Sequence, residues 1–222
     1  MSILNKLNQV IKEFNSNNSI NIAIDTIRVN FSKQHKLKEL KSLGEWLKID
    51  KTSSLYSRLQ KEENATSGYR LKDTNIYYLN IKDKPKYRKA TLIIFGIYQP
   101  HKKIDIHIIA KTLKILKNIT SIDICYDNKN KPNIEAIKSL YKPKRYISNK
   151  KPTDTYYITF NLFYLSKIVI YNKAFKNNLK YSLWRIEAIL NIKLQDDYLY
   201  LALFEFKEFI DRTYLLKERD LL

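Results

Sequence analysis

Two short stretches late in the chain hold side chains able to do chemistry together: Tyr171 with Lys173, and Arg185 with Glu187. In IVIYNK (168–173) and SLWRIEAIL (182–190), polar and apolar residues alternate, so each stretch reads as a strand. Successive side chains of a strand point to opposite faces. Tyr171 and Lys173 therefore share one face and Arg185 and Glu187 share another, while Ile168, Ile170, Trp184, Ile186 and Ala188 take the opposite sides. Pairing the two strands sets a phenol, an ammonium, a guanidinium and a carboxylate over an apolar core. Such a face can do chemistry on a phosphate.

A third stretch follows the same plan. SIDICYD (121–127) puts Asp123, Cys125 and Asp127 on one face and Ile122, Ile124 and Tyr126 on the other. Around these three strands the spacing predicts further elements. The first 14 residues form a helix on Ile3, Leu7, Val10 and Phe14; residues 20–31 form a strand; residues 36–48 form a helix with Leu37, Leu40, Leu43 and Leu47 inward. Residues 50–75 are polar and read as a mobile loop. IYYLNI (76–81) and ATLIIFGIY (90–98) are strands around the turn KDKPKYRK, a basic tip able to bind phosphate and stack on bases. A helix over 104–117 precedes SIDICYD, and another runs from Pro132 and Asn133 to Tyr141. YKPKRYISNKKP reads as a basic linker ending at the strand TYYITFN. Residues 196–219, without Gly or Pro, form a C-terminal helix capped by Asp196 or Asp197.

The 222 residues, 44% hydrophobic, suffice for a single domain with a sizeable core. One cysteine, Cys125, excludes a disulfide framework and a multi-cysteine zinc site, which fits a reducing cytoplasm. The chain has no signal-peptide core and no membrane span, so a cytoplasmic location is expected and no membrane is among the partners. Three glycines preclude a Walker A loop. The net charge of +19 is concentrated: residues 82–180 carry 22 Lys and Arg against 6 Asp and Glu, the footprint of a polyanion partner. Lys84, Lys86, Arg88, Lys89, Lys144, Arg145, Lys150 and Lys151 are the candidate nucleic-acid contacts.

The order of helix, D-x-x-x-D strand, helix, Y-x-K strand and R-x-E strand resembles the transfer-type rolling-circle replication initiators of plasmids, with relatives among relaxases and phage nickases. The resemblance covers about residues 20–190, a nicking core. It implies an α+β fold with a central, largely antiparallel sheet, helices on one face and an open basic face for DNA. It also implies a site-specific, metal-dependent nickase and strand transferase, in which a tyrosine becomes linked to DNA as a 5′-phosphotyrosine. DNA as a single strand or hairpin origin, a host helicase and a second copy of the chain in a homodimer are the partners it implies.

Carried onto this chain, the resemblance makes Tyr171 the nucleophile, with Tyr164, Tyr156 and Tyr157 in reserve. A phenol ionises near pH 10 and needs a base, a metal or neighbouring cations to attack at neutral pH. Lys173 lies on its face, and Arg185 is a phosphate clamp or orients Glu187. A divalent ion, Mg or Mn, would sit on Asp123, Glu187 and Asp127. On a regular strand Asp123 and Asp127 stand ~13 Å apart, too far for one ion with bonds of about 2.1 Å. Asp123 with Glu187 is therefore preferred, and Asp127 joins them where the strand bends or caps the next helix. Family members often place an acid after the tyrosine; Asn172 stands there here. His35, His101 and His107 lack the spacing of the histidine-metal nickases and read as surface or core residues. The alternative is a DNA- or RNA-binding or regulatory protein that keeps the scaffold without the chemistry.

Overall fold

The computed structural model describes residues 3–82, 89–99, 105–116, 119–148, 151–160, 162, 164–192 and 196–215. Ten strands and seven helices lie among them, an α+β fold. The chain divides into two compact units, one of Met1–Lys6 with Asp25–Ile122, the other of Leu7–Ile24 with Asp123–Leu222.

The first unit holds most of β1 (Ile22–Ser32), then α2 (Lys33–Lys41), β2 (Trp46–Lys48), α3 (Ser54–Glu63), β3 (Ala65–Leu71), β4 (Ile76–Ile81), β5 (Lys89–Ile94) and α4 (Ile106–Leu116). Its strands are ordered β2-β3-β4-β5-β1, with antiparallel pairing at each step. The helix expected over 36–48 stops early. It ends at Lys41, the chain turns through Gly44 at φ +146°, and Trp46–Lys48 pairs with β3. Trp46 Nε1 donates to the Leu40 carbonyl at 3.0 Å, fixing the turn, and Leu47 is left exposed. The expected loop over 50–75 is instead α3 and β3. Ser53 caps α3 by accepting from the Tyr56 N–H, and Asn64 in the left-handed conformation ends it. Tyr56 and Leu59 then join Ile49, Ala65, Tyr77, Leu79 and Ile93 in one core cluster. The second hairpin strand is shorter than expected, because after Ile94 the chain turns at Gly96, φ +63°. The tip residues 83–88 lie outside the described residues.

The second unit holds most of α1 (Ile3–Asn18) and of β6 (Ser121–Asn128), then α5 (Ile134–Tyr141), β7 (Lys144–Ser148), β8 (Lys151–Thr159), β9 (Leu165–Asn172), α6 (Lys173–Lys176), β10 (Trp184–Asn191) and α7 (Asp196–Leu215). Its strand order is β6-β10-β9-β8-β7, and the pairs β10–β9, β9–β8 and β8–β7 are antiparallel. The basic stretch expected as a linker supplies β7 and the start of β8. One face is sealed. Ile124, Ile158, Ile168, Ile170, Ile186 and Ala188 are all buried, and α7 packs against β10. The buried residues of α7, Leu199, Ala202, Leu203, Phe206, Phe209, Ile210 and Thr213, recur at three and four residues, as one helical stripe requires. Phe209 meets Tyr141 of α5 at 4.9 Å between ring centroids, and Phe14 of α1 meets Phe204 at 5.1 Å. On the other face Tyr157, Lys167, Val169, Glu187 and Ile189 are only half-buried.

Candidate functional site

Both opening stretches form strands and they pair, with Tyr171 directly opposite Arg185 and Val169 opposite Glu187. The facing positions put Tyr171, Arg185 and Glu187 on the face opposite the sealed one, because Ile170 and Ile186 between them enter the sealed face; there Glu187 is half-buried, while Tyr171 and Arg185 are buried. The Tyr171 hydroxyl donates to Glu187 Oε1 at 2.5 Å, a diagonal contact between adjacent strands. Arg185 sends Nε to Asp127 Oδ1 at 2.5 Å and Nη2 to Oδ2 at 2.7 Å, the two-pronged geometry a planar guanidinium favours. Its Nη1 lies 3.6 Å from Glu187 Oε1. Thus one guanidinium links the two carboxylates, and Glu187 links it to the phenol.

Lys173 departs from its expected place. β9 ends at Asn172, whose Oδ1 accepts from the Phe175 N–H at 2.9 Å and so caps the one-turn helix α6. Lys173 is the first residue of that helix, its side chain is 1% exposed, and its Nζ lies 3.5 Å from Asp127 Oδ2. The strand alternation could not place it, since the strand has already ended. Asn172 stands where an acid was expected, and its side chain is committed to the cap. Lys176, which the sequence reading did not single out, holds its ammonium 4.5 Å from the centroid of the Tyr171 ring. Its only sequence signal is membership of the basic connection after Tyr171.

Asp123, Asp127 and Glu187 do not gather around one point. Both Asp127 oxygens are taken by Arg185, with Lys173 beside one of them, and Asn133, not Asp127, caps α5. Among the described residues no group of three or more His, Cys, Asp and Glu is arranged to hold a metal ion. A three-carboxylate metal site therefore does not fit these side chains as they stand. Asp123 is buried at 7% exposure, two residues before the fully buried Cys125 in β6.

Of the reserve tyrosines, Tyr156 is buried, Tyr157 has Lys167 over its ring at 4.3 Å, and Tyr164 stacks on Tyr198. Of the expected nucleic-acid contacts, Lys144 and Arg145 lie on β7 and Lys151 opens β8, all exposed. Arg145 is engaged within this hairpin, donating to the Thr153 carbonyl at 2.7 Å and to Asp154 at 3.3 Å. Lys89 is the first residue of β5, and Lys84, Lys86, Arg88 and Lys150 lie outside the described residues. His107 is exposed on α4, and His101 lies outside the described residues. Among the described residues no helix is long and apolar enough to cross a membrane.

No protein-family model matches the chain, and no curated protein matches its sequence. Among solved structures, the rolling circle replication initiator protein from Geobacillus stearothermophilus is similar in fold. It is 14% identical, the match covers 87% of this chain and 85% of that one, and the TM-score is 0.49.

Proposed function

We propose that this chain is a rolling-circle replication initiator that nicks one DNA strand with Tyr171 and carries the strand as a 5′-phosphotyrosine. The observation that supports it is the hydrogen bond from the Tyr171 hydroxyl to Glu187. A phenol attacks phosphorus only as its proton leaves, and Glu187 is in place to take it. The tyrosine oxygen then bonds to phosphorus, the bond to the 3′-oxygen breaks, and that oxygen takes a proton from water to become the 3′-hydroxyl. In strand transfer a 3′-hydroxyl attacks the phosphotyrosine and the proton returns to the phenol. Lys176 over the ring favours negative charge developing on the tyrosine oxygen. Arg185 and Lys173 hold Asp127, so they act here as positioning residues for the face on which Glu187 sits.

Dependence on Mg or Mn, with Asp123 and Glu187 as the holding carboxylates, is a separate proposal, and no step above passes through the ion. So are the host helicase and the homodimer. The test uses labelled single-stranded oligonucleotides from the genetic element that encodes the chain, with Mg or Mn and with chelator. The chain should form a denaturation-resistant adduct, Tyr171→Phe should form none, and chelation should abolish it if the metal proposal holds. An adduct retained by Tyr171→Phe would assign the nucleophile elsewhere, and no adduct on any such DNA would overturn the reading.

A second reading draws on Asn172, which caps a helix where the resemblance puts an acid. The chain would then bind nucleic acid without cutting it. Affinity would survive Asp123→Ala and Glu187→Ala and fall steeply with salt.

A further inference from the structure

The connection between β9 and β10 holds two aromatic rings open to water: Phe175 is 84% exposed and Tyr181 is 50% exposed. Phe175 is thus not placed by packing. Nor does its backbone hang loose. The Ala174 N–H bonds to the Leu183 carbonyl at 3.0 Å, the Asn177 N–H to Lys173 at 3.1 Å, and the Leu179 N–H to Ala174 at 2.9 Å. Asn172 caps the turn from one end, and Asn178, in the left-handed region at φ 52°, reverses the chain at the other. Ala174 and Leu183, where the connection closes on itself, are buried. The frame is fixed and the ring is bare.

The charge around it names the partner. From Asn172 to Trp184 there are two exposed lysines, Lys176 and Lys180, besides the buried Lys173 that pairs with Asp127, and no acid. Lys176, next in sequence to Phe175, reaches back over the Tyr171 ring. A bare aromatic face flanked by cations matches a polymer that alternates flat apolar rings with negative charges. In a duplex those rings are stacked on one another, and only an unpaired base offers its face.

We propose that Phe175 is the stacking platform for an unpaired base of single-stranded DNA, next to the phosphate that reaches Tyr171. The inference rests on the nucleic-acid reading above and adds to it the side chain that holds an unpaired base beside the site. Lys176 takes the phosphate between the stacked base and Tyr171.

The experiment is run on the full chain carrying Tyr171→Phe, so that binding is read without cleavage, using a labelled oligothymidylate of about twenty nucleotides. Phe175→Ala is expected to weaken single-strand binding about tenfold and to leave its salt dependence unchanged. Phe175→Trp is expected to keep the affinity, and its fluorescence, read as the difference from the chain with only Trp46 and Trp184, is quenched on saturation with the oligonucleotide. Parental affinity in Phe175→Ala, or an unquenched Trp at saturation, overturns the proposal. The two readings fail separately. An adduct on Tyr171 together with an unquenched Phe175→Trp removes the stacking and leaves the cleavage, whereas quenching without any adduct leaves the stacking and removes the cleavage.

Discussion

Arg185 holds Asp127 with two nitrogens, Nε at 2.5 Å and Nη2 at 2.7 Å, from a side chain with no exposed surface. Lys173 stands beside Asp127, and Glu187 stands beside Arg185. Two cations and two carboxylates offset one another where little water can do so, and removing one member leaves its partner buried with an uncompensated charge. Asp127→Asn is expected to lower the unfolding free energy by about 3–5 kcal/mol. Arg185→Met should cost a similar amount, and the double variant less than the sum of the two. Urea denaturation of the four proteins measures the coupling; strict additivity would show that the pair is not a unit.

Glu187 is the group on which the proposed chemistry turns. Glu187→Gln keeps the shape and can still meet the phenol, but it cannot take its proton. Adduct formation should slow by about 10²- to 10⁴-fold, the usual contribution of a positioned base, while affinity for the same oligonucleotide changes little. Single-turnover kinetics separates the two quantities. A parental rate in Glu187→Gln would take the role of base away from this carboxylate.

Tyr78 and Tyr214 resist ionisation in the folded chain. Burial pushes Tyr78 up, with Tyr69 adding to it; burial pushes Tyr214 further, with Tyr126 and the negative Asp127 adding to it. An unfolded tyrosine ionises near pH 10. Because the folded values are raised, the stability tied to these two phenols is whole below about pH 10. It declines as the pH climbs from there towards the folded values, since only the unfolded chain gives up the protons. Thermal unfolding followed by circular dichroism from about pH 9 to 12 should show a falling Tm, with a shallower fall in Tyr214→Phe. Equal slopes for the two proteins would rule Tyr214 out as a cause.

The sealed face was legible because burial on one side forces alternation: Ile168, Ile170, Ile186 and Ala188 are all fully buried, as their spacing requires. The contact between Tyr171 and Glu187 followed from the same alternation once the strands paired. What was not legible depends on ends and edges. Asn172 stops β9 one residue before Lys173, and a cap of this kind leaves no trace in a hydrophobic pattern. β7 lies at the end of its strand order, paired among the described residues with β8 alone, so its basic sequence, with Pro152 opposite Ile147, reads as a linker. In α3 only Tyr56 and Leu59 are buried, too few to reveal a helical stripe among polar neighbours. The direction in which Asp127 turns could not be read from spacing at all, because it is set by a guanidinium 58 residues away.

The β7–β8 hairpin separates two kinds of cation. Lys144 and Lys151 are exposed, whereas Arg145 is bonded to Thr153 and Asp154 and lies over the Tyr156 ring at 5.6 Å. Lys144→Ala and Lys151→Ala should each lower the slope of log affinity against log salt by about 0.7 for a single strand and leave stability unchanged. Arg145→Ala should also lower the Tm. Binding titrations at several salt concentrations, paired with thermal unfolding, check both; unchanged slopes would remove this hairpin from the nucleic-acid interface.

Gly68 tests the part of the fold the sequence hid most completely. It lies in β3 between the side chains of Ile49 and Leu79, and a Cβ there would stand 2.9 Å from Ile49 Cδ1 and 3.0 Å from Leu79 Cδ2. Ile49 and Leu79 are both buried in the core cluster with Tyr56 and Leu59 of α3, so neither can swing freely into solvent. Gly68→Ala is therefore expected to cost about 1–3 kcal/mol as overpacking. Ile49→Val removes the nearer methyl and should restore part of that loss in the double variant, although by itself it costs about 0.5–1.5 kcal/mol. Urea denaturation of the two single variants and the double variant decides it: a double variant less stable than Gly68→Ala alone would show that the close approach of Ile49 is not what keeps this position glycine.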